Sequence, residues 1–412
     1  MDQQVDVVTA AGRISGRVDS RFSEVAEAFV ENFSARDEVG ASCAITLEGQ
    51  TVVDLWGGRV TREGADWERD TLCTVFSSTK GAMALCAHML ADRGMLDLDA
   101  PVTDYWPEFG VGGKEEARVK MTLDHSVGVP HLRGPVAPGA FYDYPQMVAR
   151  VAAEPAFWAP GTRGGYHAIT MAWTVGELVH RASGRRLGRF FDEEVARPLG
   201  LDFWIGAPAA VESRISPMLP AEPDEPWLAT RFVQAALGAE ENPTQLFMRD
   251  FLLLDPNTPE CHQAEVGSAN GVANARSLAG LYAPLANGGS LGGVTLVGAD
   301  TLARMGRVSM ASHDDATLLV PSRFALGYMK STDNRRTPNT VNSSVILSEP
   351  AFGHVGAGGS LGFADPACRL SFGYAMNRMG TGILLNDRGQ ALVDAAYRSL
   401  GYRSNASGAW LE

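Results

Sequence analysis

The sequence predicts an α+β fold in which two chain ends of mixed strand and helix character flank a long, mostly helical middle segment. Three observations carry this reading: a strand–turn–strand pattern in residues 41–58, a second β-rich stretch followed by a helix near the C-terminus, and a middle region, residues 81–315, dominated by helical spacing and Pro/Gly-rich connectors. With 412 residues, 45% of them apolar, the chain is long enough for two lobes with a large buried core.

The elements follow in order. Phe22, Val25, Ala26, Phe29, Val30 and Phe33 recur at helical spacing, which predicts an amphipathic helix over residues 19–35. The segment "ASCAITLEGQTVVDLWGG" reads as two strands joined at Glu48-Gly49. In "TVFSSTKGAMALCAHMLADRG", small and apolar residues sustain a helix through Leu90, and Gly94 supplies its stop. The middle region is punctuated by "LRGPVAPGAFYDYP" and "LPAEPDEPWLA"; the second, acidic and Pro-rich, reads as a mobile surface loop, either a solvated linker or a lid over a cleft. "SRFALGYMKS" and "CRLSFGYAMNR" read as strands, and a closing helix is expected from about Asp387 to Leu400.

Composition narrows the function classes. A net charge of −13 disfavours wrapping nucleic acid or docking on an anionic membrane, since both need a basic face. The N-terminal residues lack a basic start and apolar core, and no apolar run is long enough to span a bilayer, so a cytoplasmic protein is expected. Cys43, Cys73, Cys86, Cys261 and Cys368 are odd in number, widely spaced and set among apolar residues, which reads as buried free thiols. The histidines show no metal-ligand spacing, so neither a metal nor a cofactor is expected. A monomer and a homodimer are both compatible with the sequence.

Two motifs compete for the nucleophile. "GGSLG" occurs twice, at residues 288–292 and 358–362, and matches the G-x-S-x-G pattern of a nucleophile elbow. An elbow needs strand, sharp turn and helix in that order. Ser290 instead follows a helical run at a stop signal, and Ser360 leads into a strand with no histidine after it in the chain. The alternative is Ser77-Ser78-Thr79-Lys80, an S-x-x-K tetrad opening the helix described above. The three-residue offset puts Ser77 and Lys80 on one face, one turn apart, while the helix N-terminus offers N–H groups to a developing oxyanion. A helix-capping serine with a surface lysine would explain the tetrad alone. Lysine is nevertheless scarce here, with only Lys80, Lys114, Lys120 and Lys330 among 35 basic residues, and a buried lysine can lose its proton where arginine cannot. Tyr166 follows a Gly-rich turn in "WAPGTRGGYHAITMAWTVGELV", from which its phenol can project into a cleft, and His354 stands at an expected strand end in "FGHVGAGGSLG".

The order of "VVDLWGG", "DTLCTVFSSTKG", "GMLDLDAPVTDYWPEF", "DHSVGVP", "PGTRGGYHAITMAWTVGELV", "SANGVANARSLAGLYAPLANGG" and "FGHVGAGGSLGFADP" resembles the family VIII carboxylesterases, class C β-lactamase-like serine hydrolases of the penicillin-binding-protein fold. The resemblance spans nearly the whole chain. It implies an antiparallel sheet with flanking helices, formed by residues 1–80 and 316–412, an inserted mostly helical domain over residues 81–315, and an active site at their interface. It implies Ser77 as nucleophile, Lys80 as its partner and Tyr166 as proton shuttle, with the backbone N–H groups of Ser77 and Ala357 as the oxyanion hole. Either Lys80, its pKa lowered by burial, or Tyr166, its phenolate stabilised by Lys80, can act as base. Ser360 and Ser290 then have no chemical role.

Two departures from the β-lactamase pattern shape the expected substrate. Tyr166-His167-Ala168 stands where the family usually has Tyr-x-Asn, and His354-Val355-Gly356 where it usually has Lys-Thr-Gly. Both weaken recognition of a substrate carboxylate and resemble the esterase branch, with His354, Gly356 and His167 as substrate contacts. Hydrolysis of small carboxylic esters with short acyl chains, through an acyl-enzyme on Ser77, is the expected activity. Acyl transfer to an alcohol or amine, cleavage of β-lactams or D-amino-acid peptides, and a non-enzymatic binding module are the alternatives. Phe141, Tyr142, Trp158 and Trp227 are candidate pocket aromatics that core packing would explain equally well.

Overall fold

In the computed structural model, which describes residues 3–238 and 241–412, strands β1 (Gln3–Thr9), β2 (Gly12–Val18), β3 (Gly40–Leu47), β4 (Gln50–Gly58), β5 (Phe352–Val355), β6 (Leu361–Asp365) and β7 (Leu370–Met376) form one antiparallel sheet. Its order is β1-β2-β4-β3-β7-β6-β5, so the first four strands meet the last three at the β3–β7 pair. The β3–β4 hairpin turns at Glu48 and Gly49, whose φ values of 52° and 78° suit a tight two-residue hairpin turn.

Helices α1 (Ser23–Ala35), α2 (Thr79–Asp92), α3 (Met171–Ser183), α4 (Pro243–Leu252), α5 (Ala275–Ala286) and α6 (Asp387–Ser399) pack around the sheet and the site. Side chains alternate across a strand, and the two sheet faces are covered differently. On one face, Ala44 packs on Ala275 and Ala279 of α5. A Cβ at Gly373 would come within 2.1 Å of the Ala275 carbonyl, so α5 lies against bare backbone. On the other face, Phe363 stacks on Phe372 and on Tyr397 of α6, and α6 pairs with α1. Of the apolar stripe in residues 19–35, Phe22, Val25, Phe29 and Phe33 are buried, and Ala26 and Val30 are half-buried. An antiparallel sheet with flanking helices is the fold the sequence implies.

Some local expectations change. Only Ser322–Phe324 of "SRFALGYMKS" is strand, paired with Met310–Ser312 outside the main sheet. The turn at Gly327, φ 88°, ends it, and the segment meets the sheet edge through the single Met329–Gly353 bridge. The Pro-rich connector "LPAEPDEPWLA" is anchored at Leu219, whose N–H donates to Asn377 O, and contains a short helix, Glu225–Leu228, capped by Asp224. Cys43, Cys73, Cys86 and Cys261 are buried free thiols, whereas Cys368 is half-buried. No helix among the described residues is long and apolar enough to cross a membrane.

Candidate active site

The site is built on the turn that precedes α2. A strand fragment, Cys73–Thr74, runs into a single 3₁₀ turn, Phe76–Ser78, and α2 starts immediately after it. Phe76 holds φ 43°, a left-handed conformation rare for a bulky residue and worth about 1–3 kcal/mol of strain. Its surroundings impose that geometry: Thr79 Oγ1 donates to Phe76 O at 2.5 Å, Val75 N to Gly271 O at 2.8 Å and Gly271 N to Thr79 Oγ1 at 2.9 Å. The strained turn presents Ser77 half-exposed between buried neighbours. That is the placement a nucleophile requires.

Helix α2 is buried on all sides, because small residues such as Gly81, Ala82 and Ala84 let neighbours close in around it. Lys80 is therefore fully buried. Its Nζ lies 3.1 Å from Ser77 Oγ, 2.7 Å from Ala168 O and 2.8 Å from Ser268 O, and 4.8 Å from the Tyr166 ring centroid. Among the described residues no carboxylate pairs with it, and burial holds its pKa well below the ordinary lysine value. A neutral amine has two N–H bonds and one lone pair. In that form the two carbonyls take the N–H bonds and the lone pair is left for the Ser77 hydroxyl; in the protonated form Nζ donates to all three oxygens.

Tyr166, His167 and Ala168 enter α3 as a pinned tripeptide. Asp315, fully buried, accepts from Tyr166 N at 2.9 Å and also from Thr317 N, Leu318 N and Ser322 Oγ. His167 N donates to His125 Nδ1 at 3.1 Å. The Tyr166 hydroxyl is buried and has no partner of regular geometry. Burial raises its pKa, against a smaller lowering by the Ser77 hydroxyl beside it. The phenol is thus held protonated next to Ser77. His167, expected as a substrate contact, has no free ring nitrogen: its Nδ1 donates to Gly165 O at 2.7 Å and its Nε2 accepts from Val129 N at 3.0 Å. Both ring nitrogens are spent on backbone, and the residue positions Tyr166 and Ala168.

Strand β5 closes the site. His354 is fully buried, its Nδ1 donates to Val355 O at 2.7 Å, and its Nε2 has no partner. Burial lowers its pKa to about 3, so it presents a neutral lone pair. Its ring lies 6.0 Å from that of Tyr166. Beyond it the chain passes Gly356 to Ala357, whose N–H, like that of Ser77, has no acceptor among the described residues. Ser360, expected to be a bystander, is instead the clasp between this strand and the nucleophile turn. Its Oγ donates to Val75 O at 2.8 Å and meets Ser78 Oγ at 3.1 Å, while Ser78 Oγ donates to His354 O at 3.2 Å. Ser360→Ala is expected to cost about 1–3 kcal/mol, because it leaves buried polar groups unpaired. An unchanged thermal melting temperature would contradict that role. Ser290 sits on an exposed two-strand hairpin, its Oγ bonded to Thr295 Oγ1 at 2.9 Å.

Several contributors carry no sequence signal. Ser268 acts through its backbone carbonyl and Asp315 through a carboxylate that holds the Tyr166 N–H, and Phe247 and Phe251 on α4, which pack on Tyr166 and Phe76, are not among the aromatics singled out in the sequence. Phe141 is buried against Trp173, Trp158 packs edge-on to His167, Trp227 stacks on Phe232, and Tyr142 is half-buried beside Cys261. Among the described residues no three His, Cys, Asp or Glu side chains converge as metal ligands.

Comparison with known proteins shows the family. Residues 25–396 match the protein family described as Beta-lactamase. The chain is 33% identical over 386 residues to the Mycobacterium tuberculosis protein Esterase/beta-lactamase LipL, covering 92% of this chain and 86% of that one. Among solved structures it is similar to a family VIII carboxylesterase, 37% identical with a TM-score of 0.80, covering 94% of this chain and 99% of the other. A penicillin-binding-protein homologue from Caulobacter crescentus is 33% identical with a TM-score of 0.82 at the same coverage.

Proposed function

The chain belongs to the Beta-lactamase family, as a hydrolase of the esterase/beta-lactamase type, and from that premise we propose that it hydrolyses small carboxylic esters through an acyl-enzyme on Ser77. The observation that carries this reading is the Lys80 amine, buried without a carboxylate and 3.1 Å from Ser77 Oγ.

In the proposed cycle Lys80 takes the Ser77 proton as Oγ attacks the ester carbonyl, a general-base step worth about 10²–10⁴-fold. The oxyanion forms between the N–H groups of Ser77 and Ala357, which have no other acceptor among the described residues. The tetrahedral species collapses, the C–O bond breaks, and the alcohol leaves with a proton passed from Lys80 through the Tyr166 hydroxyl. Water then repeats the sequence on the acyl-enzyme and releases the acid. Tyr166 acts as a shuttle in this scheme because burial disfavours its phenolate.

A neutral, buried His354 argues for esters over substrates with a carboxylate, since the site offers a lone pair where a cation would be needed. Mass-spectrometric mapping of the serine modified by a fluorophosphonate probe tests the assignment. The adduct is expected on the peptide containing Ser77; labelling at Ser290 or Ser360 would overturn it.

A further inference from the structure

Helix α4 brings an aromatic face to the nucleophile. Asn242 caps it by accepting from Gln245 N, Pro243 occupies its first turn, and Phe247 and Phe251, four residues apart, share one side. Phe247 meets the Tyr166 ring edge-on, 6.4 Å between centroids at 89°. Phe251 lies 5.7 Å from the ring of Phe76, the strained residue just before Ser77, and 6.2 Å from Phe247. Both are only half-buried, whereas Phe76 and Tyr166 are buried. Two half-buried rings thus pack on Phe76, which precedes Ser77 in the chain, and on Tyr166, whose hydroxyl lies beside that of Ser77.

The face is held rigidly. Thr244 Oγ1 donates to Thr317 O at 2.7 Å, two residues from the Asp315 that anchors Tyr166. Arg249 donates to Leu132 O at 2.7 Å and Gly134 O at 2.6 Å. The buried His131 stacks on the Phe247 ring at 6.0 Å. An aromatic surface fixed by side-chain ties to neighbouring backbone binds a planar apolar group with little further ordering.

Building on the ester reading above, we propose that Phe247 and Phe251 form the specificity wall of the site and select small esters carrying an aromatic substituent, so that ring character and not chain length decides turnover. The wall offers no charged or hydrogen-bonding side chain of its own, so a ring gains edge and face contacts there that a methyl group cannot make.

The test compares kcat/KM for methyl phenylacetate, benzyl acetate and methyl acetate, which separates an aromatic acyl side from an aromatic alcohol side. At least one aromatic ester is expected to exceed methyl acetate by about 10-fold or more, in line with contacts of this size in an apolar pocket. In Phe247→Ala and Phe251→Ala that ratio is expected to fall toward one, with Phe247→Leu as a milder variant should the alanine protein fold poorly. Equal rates for the three esters, or a ratio that survives both substitutions, would overturn the proposal while leaving the esterase reading intact. No turnover of any ester together with no labelling of Ser77 would remove both.

Discussion

Replacing Lys80 by Ala is expected to lower kcat/KM for an ester by about 10³–10⁴-fold, near the upper range of a lost general base. The amine has no carboxylate partner, and burial is the cause of its lowered pKa, so the neutral form is the one the site favours. The sign of the pH dependence follows. Below the lowered pKa, Lys80 is protonated and cannot accept the Ser77 proton, so activity is lost as pH falls through that value and recovers as pH rises. His354, its pKa lowered to about 3 by burial, is neutral at neutral pH. Lys80→Arg, which retains charge but cannot release a proton, should be inactive at every pH, whereas Lys80→Met tests the loss of the amine at similar volume. Removing the amine also leaves Ala168 O and Ser268 O without a donor, so melting temperatures belong beside the rates. A Lys80→Met enzyme that keeps its acid limb and most of its rate would assign the base elsewhere.

Gly356→Ala carries the second large expected effect. A Cβ at this position would stand 2.1 Å from Ser360 Oγ and 2.2 Å from Val75 O, far inside any real carbon contact. The serine could turn away, but Val75 O is backbone of the nucleophile turn and cannot. Strand β5 must then retreat from the turn and carry the Ala357 N–H out of reach of the oxyanion. Losing one such donor lowers kcat by about 10²–10³-fold. Pairing Gly356→Ala with Ser360→Ala removes only the softer clash and should recover little. Fluorophosphonate labelling of Ser77 should slow in proportion to kcat, because that adduct uses the same donors. Full activity in Gly356→Ala would mean that the close approach of strand to turn is not needed for oxyanion binding.

The parts of the site legible in the sequence are those whose geometry is local. The S-x-x-K tetrad is readable because three residues along a helix return a side chain to the same face whatever surrounds it, and the β3–β4 hairpin because Glu48-Gly49 encodes its turn. Tyr166 and His354 are readable through the order of blocks shared with a known family, and nothing in their own neighbourhoods requires a catalytic role. Ser360 misleads for the same reason. Its pentapeptide resembles an elbow, and only contacts across more than 280 residues of chain, to Val75 O and Ser78 Oγ, reveal a clasp. The strand expected over "SRFALGYMKS" fails because the turn at Gly327 interrupts a locally favourable pattern.

The sequence by itself determined the sheet-and-helix fold, the tetrad on its buried helix and the absence of a fixed cation at position 354. Tertiary structure alone decided that Lys80 lacks a carboxylate partner among the described residues, that both ring nitrogens of His167 are committed to backbone, and that Phe247 and Phe251 pack on Tyr166 and Phe76. The physical reason is common to all three. Solvation, hydrogen-bond partners and ring contacts depend on which distant segments pack together, and a side chain's protonation state and availability follow from that packing and not from its neighbours in sequence.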